Sequence, residues 1–393
     1  MPDKPDRDPS ALKLDGAAPV SMGRLLAIFL KIGSIGFGGG MAVIALMEQE
    51  FVRKRRLIPL DEFVHGVGLG QVLGSVAVNV ALFIGYRLFG IAGALLSAGA
   101  FLVPSITLVI ILSDLYFRYH AVPALQGAVA GLAPVVIALI LDAGWSIGRK
   151  VLRSWPAILI AVGALAAGIA QWNPAWVLVA AGAASFLLPV KSTAPIPPRQ
   201  PQKGTGGGAA NWMPFAFLAA GPMSKLITTF FKIGLVFFGG GFVLVPVLHN
   251  RLVTQLGWLK PREFLDGVAI SNLTPGPIAV LATFAGFHLA GIIGALAATA
   301  ALFAPGIVLM LAMSRQYGRF RHDRRAQRFL AGVNPAVAGL ILSAALVLGR
   351  SALASRHGYA LFALSFCLLA GWRWHPAFVL AVGAAAGYFG LLP

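Results

Sequence analysis

The chain is poor in cysteine and in acid. Its 393 residues hold one cysteine, Cys367, so neither an internal disulfide nor a cysteine-based metal site can form. Asp and Glu number 13 against 31 Lys and Arg, and charged residues make up only 11% of the chain. An average soluble domain carries about a quarter charged residues, so an ordinary soluble fold is excluded. No HExxH, GxSxG or Walker-type motif stands in a suitable context, which argues against an enzyme. No metal and no cofactor is expected. No basic soluble domain exists to carry nucleic acid, although the net charge is +18. The alternating pattern of a transmembrane β-barrel is also missing.

What is present is apolar length. Hydrophobic residues make up 58% of the chain and the mean hydropathy is +0.83. They come in blocks with no polar face, such as 91–112, 124–141 and 292–312. Blocks near 20 residues match a hydrocarbon layer about 30 Å thick at 1.5 Å per residue. The expectation is an all-α polytopic membrane protein, multi-pass in the cell (inner) membrane, with the lipid bilayer as its partner. The basic residues lie between the blocks, where the positive-inside rule and anionic headgroups account for them. The same excess would also draw small anions toward the protein.

The sequence is written twice. "FLKIGSIGFGGG" at 29–40 returns as "FFKIGLVFFGGG" at 230–241, and the offset of 201 then holds for about 120 residues. Glu62 and Phe63 align with Glu263 and Phe264, Pro104 with Pro305, Pro134 with Pro335, and Gly148 and Arg149 with Gly349 and Arg350. After one inserted residue, Trp172, Asn173, Pro174 and Ala175 align with Trp374, His375, Pro376 and Ala377. The domain reading is therefore a disordered polar tail at 1–23, a first transmembrane repeat at 24–190, a Pro/Gly-rich linker at 191–211 and a second repeat at 212–393. Each repeat holds five to six apolar segments, transmembrane or re-entrant. The last two of each are short and fit either thin spans or one hairpin.

Charge leaves the orientation divided. Loop 314–328 holds six arginines and its counterpart 114–123 holds one, which suits repeats on opposite sides of the membrane, as in inverted-repeat transporters. Yet Arg53, Lys54, Arg55 and Arg56 are strongly basic too, and no simple assignment places every basic loop inside. Inverted repeats are the favoured reading.

Three consecutive glycines in a helix interior cost on the order of 1 kcal/mol each against alanine and invite a break. A broken helix in lipid is tolerated only where protein or a water-filled cavity surrounds it. Gly38, Gly39 and Gly40, with Gly239, Gly240 and Gly241, either break their helices or let neighbouring helices pack closely. Lys31 and Lys232 stand seven positions before each run. Each either snorkels to the interface or meets an anion. Two broken helices facing each other would offer backbone N–H groups and helix-dipole N-termini to an anion.

"SNLTPGP" at 271–277 must also stop or kink a helix, with Asn272, Thr274 and Gly276 beside the break. Its counterpart "QVLGSV" at 71–76 has no proline and offers Gln71 and Ser75. Helix–helix hydrogen bonding is the alternative role for these groups. Glu48, Glu50 and Asp142 are the candidates for proton coupling, Asp142 being the deepest in its apolar block.

Taken together, "FLKIGSIGFGGG", "EQEFVRKRR", "FFKIGLVFFGGGFVLVPVL" and "NLTPGPIA" resemble the two-domain form of the chromate ion transporter family, over almost the whole chain after residue 24. The resemblance implies antiparallel halves and export of chromate, a sulfate-like oxyanion, driven by the membrane potential or a proton gradient. Sulfate or another small anion is the alternative substrate, a membrane scaffold or enzyme a remote one, and a homodimer is compatible. Two positions depart from the family pattern. Gly40 stands where a proline usually ends the first glycine run, and Gly74, Ser75 and Val76 stand where a Pro-Gly-Pro is usual.

Overall fold

The computed structural model describes residues 20–36, 40–119, 123–187, 222–237, 241–315, 324–353 and 355–389. The linker 191–211, the tail as far as residue 19, and Gly38, Gly39, Gly239 and Gly240 lie outside the described residues. Regular structure is helical throughout those residues, and four helices are long and apolar enough to cross a membrane.

The helices on either side of the first glycine run lie alongside each other. Helix α1 (Met22–Ile35) is capped by the Ser21 side chain and ends at Gly36. Helix α2 (Gly40–Glu48) continues as a widened turn to Lys54. Phe29 stacks on Phe51 with ring centroids 4.9 Å apart. A straight helix would separate them by about 33 Å, so α1 and α2 form a re-entrant hairpin. Helix α3 (Leu60–Val72) and the first arm of α4 (Val76–Tyr119) make a second one. Gly66 on α3 lies directly under the Phe83 ring of α4.

Helix α4 then folds on itself at Phe89 and Gly90, where Gly90 has φ 64°. Its two arms touch backbone to backbone at Gly85 and Gly93, and the long second arm crosses the molecule. Thus the apolar blocks at 24–47 and 66–87 are each a hairpin rather than one straight helix. Hydropathy alone does not separate these outcomes, because both bury the same residues.

The remaining helices of the first repeat are α5 (Pro123–Val151), α6 (Trp155–Ile169) and α7 (Pro174–Leu187). The second repeat follows the same plan. It has α8 (Pro222–Leu235), α9 (Leu244–Leu248) with a widened turn to Gln255, α10 (Pro261–Leu273), and α11 (Leu281–Arg315) folded at Ala290 and Gly291. Then come α12 (Arg324–Ala352), α13 (Arg356–Phe366) and α14 (Pro376–Tyr388).

The repeats exchange their ends. Helices α6 and α7 pack on α12 of the other repeat: Ala161 meets Gly339, Ala181 meets Gly332, and the Ser185 hydroxyl donates to the Arg328 carbonyl at 2.6 Å. In the same way α14 packs on α5, with Gly383 against Gly131 and Gly387 against Gly127. The short last pair of each repeat is therefore a hairpin clasping the partner repeat. Backbone contact at these glycines leaves no room for a side chain. Gly131→Leu or Gly332→Leu is expected to lower the melting temperature of the purified protein clearly, since overpacking costs about 1–3 kcal/mol or more. An unchanged melting curve would count against this clasp.

The repeats are inverted. Helices α5 and α12 cross antiparallel, with Ile137 against Gly349 and Gly144 against Leu342. Phe117, at the far end of α4 from the fold at Gly90, stacks on Phe284 and Phe287 and meets His288 just before the equivalent fold at Gly291. The two folds are related by duplication, so their places at opposite ends of α4 fix opposite orientations. This resolves the charge puzzle. Arg53, Lys54, Arg55 and Arg56, the Arg149 and Lys150 end of α5, and the start of α12 at Arg324, Arg325 and Arg328 all reach one face.

Candidate functional site

The repeats also meet at their tips, and the pairing is crosswise. The Gly276 N–H donates to the Gly36 carbonyl at 3.0 Å, joining the second tip of the second repeat to the first tip of the first. At the equivalent crossing Gly74 lies against Phe237, where an added Cβ would stand 2.6 Å from the Phe237 oxygen. Gly74 and Gly276 have φ of 102° and 109°, the conformation that lets both tips turn this tightly. The first repeat breaks here without any proline. Each glycine-run tip thus pairs with the other repeat's second tip, because the inverting symmetry sets unlike hairpins side by side.

Every hairpin brings one carbonyl end and one N–H end to its tip. Side chains and backbone cover carbonyls there. Asn79 donates its amide to the Leu73 carbonyl at 3.0 Å, and the Thr274 hydroxyl bonds the Ser271 carbonyl at 3.0 Å. The Ser105 hydroxyl bonds the Pro275 carbonyl, and Gly276 covers Gly36. The outgoing helices start at Gly40, Val76, Gly241 and Ile278, and their first N–H groups have no partner within the helix. Four positive helix-dipole ends therefore arrive at the tips while the carbonyls beside them are occupied.

The two crossings differ at one position. Ser105 on α4 fills the crossing of Gly36 and Gly276, whereas its repeat partner is Gly306 on α11. At Gly306 a crevice remains, lined by Leu73, Ser75, Asn79, Phe237, Gly306 and Ile307. Asn79 and Ser105 were not expected from sequence. The signal was there: each is a lone polar residue in an apolar run, and both are fully buried.

The residues expected to bind substrate are placed as follows. Gly40 and Gly241 begin the outgoing helices, Ser75 is buried in the crevice, and Thr274 and Gly276 form the other crossing. Asn272 bonds the Val268 carbonyl of its own helix. Gln71 lies on α3 two positions before the break, and its side chain lies outside the described residues. Lys31 and Lys232 lie on exposed faces of α1 and α8.

Among the coupling candidates, Glu48 bonds Arg53 at 2.8 Å and Glu50 pairs with Lys54 and Arg55 at the basic face. The hydrogen bond from Lys54 leads in holding the Glu50 carboxyl below the ordinary carboxylate range, with help from Arg55 and against burial. Asp142 is half-buried near the α5–α12 crossing, within reach of Arg149 and Arg373. Its repeat partner Ser343 lines a second crevice with Gln171, His249 and Asn250. Gln171 and Arg373 occupy equivalent turns, with φ of 59° and 54°. The inverted pair of sites is thus charged on one side and neutral on the other.

Comparison with known proteins decides the family. The chromate transporter family model matches residues 23–186 and 224–388, one copy per repeat. The chain belongs to the chromate transporter family. The chromate transport protein of Pseudomonas aeruginosa is 31% identical over 398 residues, covering 95% of this chain and 93% of that protein. The probable chromate transport protein of Synechococcus elongatus is 30% identical over 363 residues, 90% of each chain. The uncharacterized transporter YwrA of Bacillus subtilis is 29% identical over 162 residues, 40% of this chain but 91% of its own length, about the length of one repeat. No solved structure matches. The chain is a multi-pass membrane protein, and its two repeats are those the sequence displayed.

Proposed function

We propose that this member of the chromate transporter family exports chromate, or a divalent oxyanion of the same shape, as a secondary transporter of the inner cell membrane. The observation that carries the reading is the crosswise pairing of the tips. It brings the N-termini of four outgoing helices to the tips and caps carbonyls there with Asn79, Thr274, Ser105 and Gly276. Such a place attracts a dianion without a buried fixed cation, as half-helices do in other repeat-built transporters. Gly40 and Gly241 begin the outgoing helices at the tips, and Ser75 and Asn79 offer hydrogen bonds from the crevice. Lys31 and Lys232 supply positive charge along the approach. The positive-inside rule puts the face of Arg53, Arg149 and Arg324 in the cytoplasm.

Cells making the protein are expected to hold less labelled chromate than cells carrying an empty vector. The Lys31→Ala/Lys232→Ala variant should lose most of that difference, and excess sulfate should compete with chromate. Equal accumulation in all three strains would end the export reading. Accumulation lowered equally by wild type and variant would remove the lysines from it.

A further inference from the structure

One buried acid stands apart from the site described above. Asp266 on α10 is 2% exposed. Its Oδ2 accepts a hydrogen bond of 2.7 Å from the Tyr116 hydroxyl, and Tyr116 belongs to the other repeat. Its Oδ1 is buried with no partner. No ion pair to Asp266 exists among the described residues. An ionised carboxylate in this position would leave a bare charged oxygen in an apolar wall, which costs far more than a neutral acid.

The wall is well defined. From α4 come Tyr116 and Phe117, and from α11 come Phe284 and Phe287, with His288 beside Phe117. His249, on the widened turn after α9, meets the face of α10 through Phe264. On α10 itself Arg262 and Glu263 act on Asp266 in opposite senses. Helices α5, α12 and α14 also pack on α10 and contribute no charge that acts on the acid. Asp266 lies eight residues before Thr274, about two turns from the tip that pairs with Gly36.

We infer that Asp266 carries the coupling proton and that its bond to Tyr116 is the latch between the repeats. This rests on the transport reading and names the group that ties transport to a proton gradient. With the repeats latched, the acid is neutral: it holds its proton, and Tyr116 donates to the carbonyl oxygen. When α4 and α10 separate, the carboxyl meets water and releases that proton to the open face, leaving a solvated carboxylate. Relatching requires a proton to return. One proton is bound and one released per cycle, and no other reactant is consumed.

The test uses the full-length protein in liposomes of synthetic phosphatidylethanolamine and phosphatidylglycerol, with labelled chromate inside and an imposed pH gradient. Chromate efflux by the wild type should rise about tenfold with the gradient. Asp266→Asn should still exchange chromate across the membrane but lose that rise, together with the proton flux read by an internal pH dye. Tyr116→Phe keeps the acid but removes the latch, and should weaken the rise and shift its pH midpoint; it also covers the case in which the asparagine variant does not fold, and an unaltered rise and midpoint would rule out the latch. A carboxylic C=O infrared band should be present in the wild type and absent from Asp266→Asn, whatever the transport activity. Full gradient stimulation in Asp266→Asn, a wild type indifferent to the gradient, or no change in the infrared band would each overturn the inference. A wild type that moves no chromate at all would instead overturn the transport reading.

Discussion

Gly306→Ser is expected to abolish chromate transport while leaving the protein folded. The two tip crossings are related by the duplication, and nature has already closed one of them with serine. At the closed crossing the Ser105 hydroxyl bonds the Pro275 carbonyl. At the open one an added Cβ on Gly306 would stand 3.2 Å from the Leu73 carbonyl and 3.9 Å from Asn79 Oδ1. The first contact is tight but needs a shift of only a few tenths of an ångström, and the hydroxyl then finds the same kind of acceptor that Ser105 uses. The crevice wall of Leu73, Ser75 and Asn79 would lose its space without gaining an unsatisfied group.

Transport should fall by at least about a hundredfold, the loss that a misplacement of about 1 Å can cause at an active site, while the melting temperature changes little. Transport at the wild-type rate would mean that the open crossing is not on the substrate path. The reverse change, Ser105→Gly, removes one buried hydrogen bond. It should cost about 1 kcal/mol of stability and leave transport in place.

The sequence carried a good deal of this. The duplication and the break at each glycine run were legible, because a constant offset and three adjacent glycines need no tertiary information; the antiparallel halves were favoured from loop charge and the family resemblance alone. The re-entrant path was not legible. Residues 66–87 read as one apolar block, and the break at Gly74 has no proline to announce it; it comes from a positive φ that the sequence does not display. The basic clusters could not be reconciled while each block was counted as a span, since the hairpins at 24–47 and 66–87 each remove one crossing from the count. Thr274 and Gly276 were singled out by their place beside a break and Ser75 as their counterpart in the first repeat, and all three lie at the tip crossings. Asn79, Ser105 and the pair of Tyr116 and Asp266 were not singled out, because their meaning comes from contacts between repeats. Tyr116 and Asp266 are 150 residues apart in the chain.

Gly276→Ala is expected to destabilise the protein strongly. Two separate penalties meet there. Gly276 has φ 109°, where a side chain costs about 1–3 kcal/mol. Its added Cβ would also run into the Ser105 hydroxyl, which is itself held by the neighbouring Pro275 carbonyl. Relief by moving the tip would break the 3.0 Å bond from the Gly276 N–H to the Gly36 carbonyl, and with it the crosswise pairing of the repeats.

The contributions can be separated. In Gly276→Ala/Ser105→Gly the clash is gone and only the backbone strain remains, so about half of the lost stability should return in thermal or SDS unfolding. Gly74→Ala is the matched control: its φ is 102° and its added Cβ faces the fixed backbone oxygen of Phe237 at 2.6 Å, which no side-chain substitution can relieve. Rescue of Gly276→Ala by Ser105→Gly, without rescue of Gly74→Ala by any change at Gly306, is the pattern these two crossings require. If all these variants unfold like the wild type, the tips are not packed against each other and the anion site built from them falls as well.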